Sequence, residues 1–321
     1  MSSQLDSSKR QYNITVPVRL MLVCLCAALL SACAITPPQT SSFLAQPASQ
    51  KSILLKDVPF YAQKEYQCGP AALAMALNAA GASTSPDQLV SEVYLPDRKG
   101  SIQVEMLGAS RRQGFIPFKV EGTIAGLIKE LQAHHSVLVF QNLALPWYPQ
   151  WHYAVVVGYD AASKELILHS AEDEWHRTNI GTFERTWART GYWGFVPLKP
   201  GLLPANQNPD QLADSIAQSE QSFSPPQLQK AYASVLKQWP DNLQSSIGLS
   251  VALYLQKKYV ASERVLRNAL KHHPASGVLY NNLAVVLKAL NRKKEAKQAA
   301  KKAIRLEPNN QNFAATLSEV S

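Results

Sequence analysis

Residues 63–77 read QKEYQCGPAALAMAL, and this stretch decides how the first half of the chain folds. The run from Ala71 is rich in alanine, leucine and methionine, so it predicts a buried helix that Gly81 ends. Cys68 stands at the start of that helix, where free backbone N–H groups and the helix dipole favour a thiolate. The stretch therefore predicts either a small core residue or a nucleophile for covalent catalysis.

The first 32 residues are typical of a bacterial secretion signal. Three basic residues precede the apolar run LMLVCLCAALLSAC (20–33), which is too short to span a bilayer comfortably. Its end, LSAC (30–33), resembles a lipobox, whose cysteine, here Cys33, is lipidated after cleavage. An uncleaved signal anchor is the alternative. Ala34 follows Cys33, and the absence of an aspartate there resembles the default for delivery to the outer membrane, facing the periplasm.

The cysteine count gives Cys68 its interest. Cys24 and Cys26 leave with the signal peptide and Cys33 carries lipid, so Cys68 is the only thiol that remains in an oxidising compartment. A disulfide framework is excluded. A lone exported thiol indicates that Cys68 is kept for its reactivity.

Several classes of function lack their signals in the sequence. The formal net charge is +9, but aromatic and basic residues do not alternate as they do in nucleic-acid-binding segments, so we expect no nucleic-acid partner. No metal-ligand spacing and no glycine-rich phosphate loop occur. We therefore expect neither a metal nor another cofactor.

Residues 33–54 are rich in proline, serine and glutamine and predict a tether. Residues 55–200 predict an α+β domain, because amphipathic helical segments come first and β-rich segments follow. The helical segments are AALAMALNAAG (71–81), SPDQLVSEVYL (85–95), SIQVEMLGASRRQGF (101–115) and TIAGLIKELQAHH (123–135). The strand segments are SVLVFQNL (136–143), WHYAVVVGYD (151–160), KELILHSAE (164–172) and YWGFVPL (192–198).

Residues 201–321 change to an alanine-, leucine- and lysine-rich helical composition with a fixed period. Pro240, Pro274 and Pro308 are each 34 residues apart. Small residues recur in phase with them, in the pairs Ser250 and Ala284, Ser262 and Ala296, Ala269 and Ala303. The period resembles the tetratricopeptide repeat, a helix-turn-helix unit that stacks into an all-α solenoid, with a capping helix at the end. Such a surface implies a protein partner.

His152 is the histidine best placed to serve Cys68 as a base. It opens the strand segment 151–160, directly after a loop crowded with proline and aromatic residues. If DAASK (160–164) closes a hairpin, residues 169–171 lie opposite 152–154, so His169, Ser170 and Asp173 are candidates to orient the imidazole. Gln63 supplies a side-chain amide that could donate to an oxyanion beside the N–H of Cys68.

Together, Gln63, Cys68 with Gly69, and His152 in HYAVVVGYD resemble the papain-fold peptidases of cysteine family 39, the double-glycine peptidases, over about residues 55–198. The resemblance implies a papain-like fold with Cys68 as nucleophile, His152 as general base and acid, and Gln63 as oxyanion donor. Those peptidases carry an aspartate where this chain has LHSAED (168–173), and their glutamine lies one residue further from the cysteine. His169 is our first candidate for the missing third group.

The sequence thus predicts an envelope-anchored cysteine peptidase that cleaves a peptide or protein through an acyl-enzyme, with repeats that recruit a partner. A catalytically degenerate peptidase-like scaffold that holds peptides is the competing hypothesis. Acyl transfer instead of hydrolysis is a third, because both reactions share the acyl-enzyme.

Overall fold

The computed structural model describes residues 36–46, 51–63, 67–205 and 208–320. The predicted signal peptide and the lipidation candidate Cys33 lie outside these ranges, as do residues 64–66 between Gln63 and Cys68. Within the described ranges, none of the helices combines the length and the apolar character that crossing a membrane requires.

The first part of the domain is mainly helical. Its elements are α1 (Pro38–Leu44), β1 (Ile53–Leu54), α2 (Cys68–Ala79), α3 (Pro86–Val93), β2 (Tyr94–Leu95), β3 (Gly100–Ser101), α4 (Gln103–Arg112), β4 (Ile116–Lys119) and α5 (Ile124–Gln132). Local sequence explains their starts: Ser85 forms a capping box with Gln88 ahead of α3, and Thr123 accepts the N–H of Gly126 at the start of α5.

The second part supplies most of an antiparallel sheet. Its elements are β5 (Val137–Asn142), β6 (Trp151–Asp160), β7 (Glu165–Ser170), β8 (Asp173–Asn179), α6 (Ile180–Ala188) and β9 (Gly194–Leu198). The strand order is β4-β9-β5-β6-β7-β8, and β1 pairs with the far end of β6. The predicted α+β class is confirmed. The sequence analysis missed β8, which is exposed along nearly its whole length and has no apolar alternation to reveal it.

The β6–β7 hairpin contains a bulge that changes the predicted register. Val156 pairs with Leu168, but the next pair is Gly158 with Ile167, so Val157 is the extra residue. The last pair before the site is Val155 with His169. This register differs by one residue from the predicted one. A one-residue shift turns each side chain of a strand to the opposite face of the sheet.

Part of the predicted tether is a packed element instead. Helix α1 buries Phe43 against the edge of Tyr159, with the ring centroids 5.6 Å apart. The buried carboxylate of Glu184 accepts the N–H groups of Gln39 and Thr40 at 3.1 and 2.6 Å. Composition favours a tether here, but one phenylalanine and a buried carboxylate attach residues 38–44 to the domain.

The repeat region is a series of antiparallel helices. They are α7 (Pro209–Ala217), α8 (Pro225–Gln238), α9 (Leu243–Leu255), α10 (Tyr259–His272), α11 (Gly277–Ala289), α12 (Lys293–Leu306) and α13 (Gln311–Val320). The small residues predicted to lie between helices are all buried, and the Ser262 hydroxyl donates to the Ser250 carbonyl at 2.8 Å.

The repeats pack directly on the α+β domain. One hydrophobic cluster runs from the sheet, including Val156 and Leu168, to Leu212 and Ile216 of α7. The buried carboxylate of Glu130 at the end of α5 accepts from the Ala205 N–H at 3.0 Å. Ala205, shortly before the first repeat helix, is therefore fixed to the sheet domain.

Candidate active site

Cys68 is the first residue of α2 and is half-buried. The next residue has to be glycine, because a Cβ on Gly69 would lie 2.2 Å from the hydroxyl oxygen of Ser101 in β3. The GP dipeptide thus lets the start of α2 approach the small β2–β3 sheet. This close packing fixes the position of the thiol.

The backbone of Tyr153 joins the candidate residues. Its N–H donates to the sulfur of Cys68, and its carbonyl accepts from Nε2 of Gln63 at 3.4 Å. The Gln63 N–H in turn donates to the Ala171 carbonyl at 3.1 Å, just beyond β7. Tyr153 directly follows His152, so Gln63 and Cys68 both contact the backbone of the residue next to the predicted base.

His152 is buried, and its ring is oriented by Ser170. Nε2 of His152 lies 2.9 Å from the hydroxyl oxygen of Ser170, within hydrogen-bond distance. Ser170 was one of the three candidates for this role. Asp173 lies in the next strand, where its carboxylate is 3.3 Å from Nδ1 of His176 instead.

His169 was the first candidate to orient His152, and the structure contradicts that assignment. The bulge in β6 pairs His169 with Val155, and Val155 shares its face of the sheet with Tyr153, so His169 points away from the ring of His152. It lies instead between the edges of Phe60 and Trp175, at centroid distances of 5.4 and 4.9 Å. It is fully buried, and burial lowers the pKa of its ring against the smaller, opposing effect of the Pro59 backbone carbonyl.

Burial sets the protonation of both central groups. It lowers the pKa of His152 to about 4, with a smaller contribution from the charge of His176. Burial also raises the pKa of the Cys68 thiol, and this effect exceeds the opposing effect of three backbone N–H donors, those of Tyr153, Gly69 and Cys68 itself. At neutral pH the site therefore holds a neutral imidazole and a neutral thiol.

An open cavity of about 260 Å³ lies beside the start of α2. Its lining residues are Phe60, Tyr61, Ala62, Gln67, Ala71, Pro86 and Asp87. Gln67 directly precedes Cys68 in the chain, and the cavity has room for a side chain or a short peptide segment. Within the described ranges, no cluster of three or more histidine, cysteine, aspartate or glutamate residues could hold a metal ion.

Comparison with known proteins agrees with the resemblance stated from the sequence. Residues 55–195 match the model of the Peptidase_C39 like family, and residues 278–310 match a tetratricopeptide repeat. No curated protein matches the chain.

Solved structures resemble each part of the chain separately. A structure described as a C39-like peptidase from Bacillus anthracis has 18% identity and a TM-score of 0.40, and the match covers 46% of this chain and 98% of that one. The first tetratricopeptide domain of human RPAP3 has 19% identity and a TM-score of 0.33, with 35% and 88% covered. MamA from Desulfovibrio magneticus has 19% identity and a TM-score of 0.32, with 35% and 64% covered. The two family-model matches indicate a C39-like α+β domain followed by helices of the tetratricopeptide type.

Proposed function

We propose that this protein is a cysteine peptidase whose nucleophile is Cys68 and whose base is His152. One observation supports this most directly. The backbone of Tyr153 holds the Cys68 sulfur on its N–H and the Gln63 amide on its carbonyl, and the residue before it is His152, whose ring is fixed by Ser170. A nucleophile, a base with an orienting partner and an oxyanion donor are the groups that acyl transfer requires.

In the proposed mechanism the proton moves during the attack and not before it. Nδ1 of His152 takes the thiol proton as the sulfur of Cys68 bonds to a substrate carbonyl carbon. Gln63 exchanges its long bond to the Tyr153 carbonyl for one to the oxyanion, together with the N–H of Cys68. His152 then protonates the leaving amine, and attack by water releases the acyl group and regenerates the thiol.

Ser170 makes this site weaker than one with a carboxylate in the same position. A hydroxyl fixes the orientation of the ring but adds no negative charge to stabilise the imidazolium that forms during the reaction. We therefore expect slow turnover that depends on close binding of the substrate.

Thiol labelling tests the proposal. Full-length protein is treated with iodoacetamide at pH 7, beside the His152→Ala variant and with Cys68→Ala as the blank. A catalytic pair predicts labelling that is faster with His152 than without it. Equal rates in the first two proteins would disprove the base role. Incubating the Cys68→Ala protein with an envelope extract should then retain the substrate.

A non-catalytic peptide-binding protein is the second candidate. The neutral state of both His152 and Cys68 favours it, as does the presence of a hydroxyl, that of Ser170, as the partner of His152 Nε2. This hypothesis predicts that peptides bind equally well to the wild type and to Cys68→Ala and are recovered uncleaved from both. Cleaved products from the wild type alone would exclude it.

We further propose that the protein is a lipoprotein of the cell envelope, held at the outer membrane on its periplasmic side, as the signal sequence and the lipobox-like LSAC (30–33) predict. Three peptide steps separate Cys33 from Thr36, so a lipid on Cys33 would hold the domain within ~11 Å of its anchor. Incorporation of an alkynyl fatty acid that is lost in Cys33→Ser would support this, and equal incorporation in both would contradict it.

The repeats would recruit a protein or peptide partner. Helices α9 and α11 border a shallow cleft of about 80 Å³ that is lined by Ser250, Val251, Tyr254, Asn282, Val285 and Val286. Stacked helix pairs commonly use such extended surfaces for binding. Loss of a captured partner in Val251→Asp, with thermal stability unchanged, would support this role.

A further inference from the structure

The loop between β5 and β6 exposes large apolar side chains next to the candidate site. Trp147 and Tyr148 are 78% and 79% exposed and Trp151 is 53% exposed, and Leu143 and Leu145 are also exposed. No acidic or basic residue occurs from Leu143 to Trp151. We name this segment, residues 143–151, the aromatic hairpin. Contiguous exposed apolar surface of this kind marks an interaction site in folded proteins.

The aromatic hairpin is held in shape from within. Asn142 is buried, and its side-chain oxygen accepts the N–H groups of Ala144 and Gln150 at 3.1 and 2.9 Å. Its side-chain nitrogen donates to the Leu145 carbonyl, which also accepts the Tyr148 N–H to close a turn. A preformed surface loses less conformational entropy on binding, so the exposed rings are ready to receive a ligand.

A line of aromatic contacts joins the hairpin to the nucleophile. Trp151 stacks on Phe140 with ring centroids 5.4 Å apart and an interplanar angle of 20°, and Phe140 packs against Tyr153 at 4.5 Å. Phe140, Tyr153 and Cys68 belong to one hydrophobic cluster on the α2 side of the sheet. A peptide whose carbonyl reaches Cys68 would therefore pass close to the hairpin.

We propose that the aromatic hairpin binds an apolar stretch of the peptide substrate. The inference rests on the proposed function, because its occupant is the peptide that Cys68 attacks. Tryptophan and tyrosine contribute large contact areas with few rotatable bonds, which is why they dominate binding energies at interfaces. An uncharged surface offers nothing to compensate for the desolvation of a charged side chain, so the same surface selects against charged peptides.

The location of the hairpin disfavours two other occupants. A lipid surface or a second copy of this chain could also cover exposed aromatic rings. Trp151 directly precedes His152 and is joined to Cys68 through Phe140 and Tyr153, however, so either occupant would cover the approach to the proposed nucleophile. A peptide is the occupant that uses the hairpin and the thiol at once.

The test uses an array of hexapeptides of varied sequence and full-length Cys68→Ala protein, which binds without cleaving. We expect peptides with aromatic and aliphatic side chains to bind best, and about tenfold weaker binding of these when Trp147→Ala and Tyr148→Ala are added. A matched pair controls for general loss of apolar surface. Leu145→Ser lies on the hairpin and should weaken binding, whereas Leu202→Ser, which is similarly exposed outside it, should not.

Three results would overturn the inference. One is the same apolar preference with and without the two ring substitutions. Another is a loss of adsorption to phosphatidylcholine vesicles without a change in peptide binding. The third is a change in sedimentation alone, which would indicate self-association. Labelling of wild type and His152→Ala reports separately on the proposed function, so hairpin-dependent binding without a reactive thiol would retain this inference and reject catalysis.

Discussion

The repeat helices and the β6–β7 hairpin place their ionisable groups in opposite surroundings. In the repeats, Arg292 contacts the carboxylates of Glu295 and Glu263 at 2.7 Å near the surface, and these bonds raise its pKa. In the β6–β7 hairpin, His152 and His169 are withdrawn from water, and burial lowers the pKa of each. The repeats keep these charges in water, whereas the buried end of the β6–β7 hairpin withdraws its two imidazoles from water.

This difference determines where an electrostatic change should matter. Water and salt screen the ion pairs of an exposed network, so their net effect on stability is small. A buried ring has no such screening, and the cost of charging it is carried by the folded state alone. We therefore expect acid to reduce stability strongly through the buried histidines of the β6–β7 hairpin. The loss of a surface charge in the repeats should change stability little.

The largest effect should come from acid. The folded state disfavours protonated His152, so the unfolded state binds the proton first. Its contribution to the free energy of unfolding is complete above pH 6.5 and is lost as the pH falls towards about 4, the pKa in the folded state. A pKa shift of this size corresponds to roughly 3 kcal/mol in the free energy of unfolding. Urea unfolding at pH 7 and at pH 4 measures it.

A variant separates His152 from the other groups that titrate in this range, including His169, whose lowered pKa acts in the same direction. In His152→Gln the fall in stability between pH 7 and pH 4 should be smaller by about the same roughly 3 kcal/mol. An identical fall in the wild type and the variant would show that the ring of His152 is not the group that acid charges.

In the repeats the larger effects should come from packing. A Cβ on Gly248 in α9 would lie 2.2 Å from the ring of Tyr232 in α8, and Glu220 holds that ring through its hydroxyl at 2.5 Å. Gly248→Ala should therefore cost about 2 kcal/mol by overpacking, measured by thermal or urea unfolding. In the matched variant Gly108→Ala, the new Cβ meets only the flexible end of Arg112 at 3.2 Å. Equal destabilisation by both would contradict the packing argument.

The periodic half of the chain was predictable from sequence because its pattern repeats. The positions of Ser250 and Ala284 follow from a 34-residue period, and a misplaced boundary would leave their burial unchanged. Helix α2 was predictable for a similar reason, because its long apolar run and the glycine at position 81 together indicate a helix and its end. Long, regular patterns average out local irregularities.

The site depends on a single irregularity that the sequence does not signal. Cys68, His152 and Gln63 could be proposed from motif and order, and the structure places Cys68 and Gln63 on the backbone of Tyr153, the residue after His152. The residue that orients the imidazole could not be predicted, because one extra residue at Val157 decides whether His169 or Ser170 faces the ring of His152. Gly158 beside the bulge is typical of an irregular strand, but a glycine alone does not say which residue is extra or which side chain then faces the ring. The aromatic rings of 147–151 were visible in the sequence, but their exposure was not.

A carboxylate added to the β6–β7 hairpin should give His152 a charged partner, as the arginines of the repeats already have. Ser170→Asp places a carboxylate near Nε2 of His152, which should raise the pKa of the ring and favour an imidazolium–thiolate pair. We expect iodoacetamide to label Cys68 about tenfold faster at pH 7, which corresponds to ~1.4 kcal/mol. Ser170→Asn is the matched neutral control and should label like the wild type. If Asn accelerates labelling as much as Asp, orientation and not charge limits the thiol.

The smallest effect should come from removing a charge in the repeats. Arg292→Gln breaks the contacts with Glu263 and Glu295, yet both it and Glu295 lie in water, and Arg267 remains bonded to Glu263 at 2.7 Å. The melting temperature should therefore fall less than it does in Gly248→Ala, and the difference from the wild type should shrink as salt is added. A large, salt-independent loss would mean that the network is shielded from water, and the contrast between the two regions would then be one of packing alone.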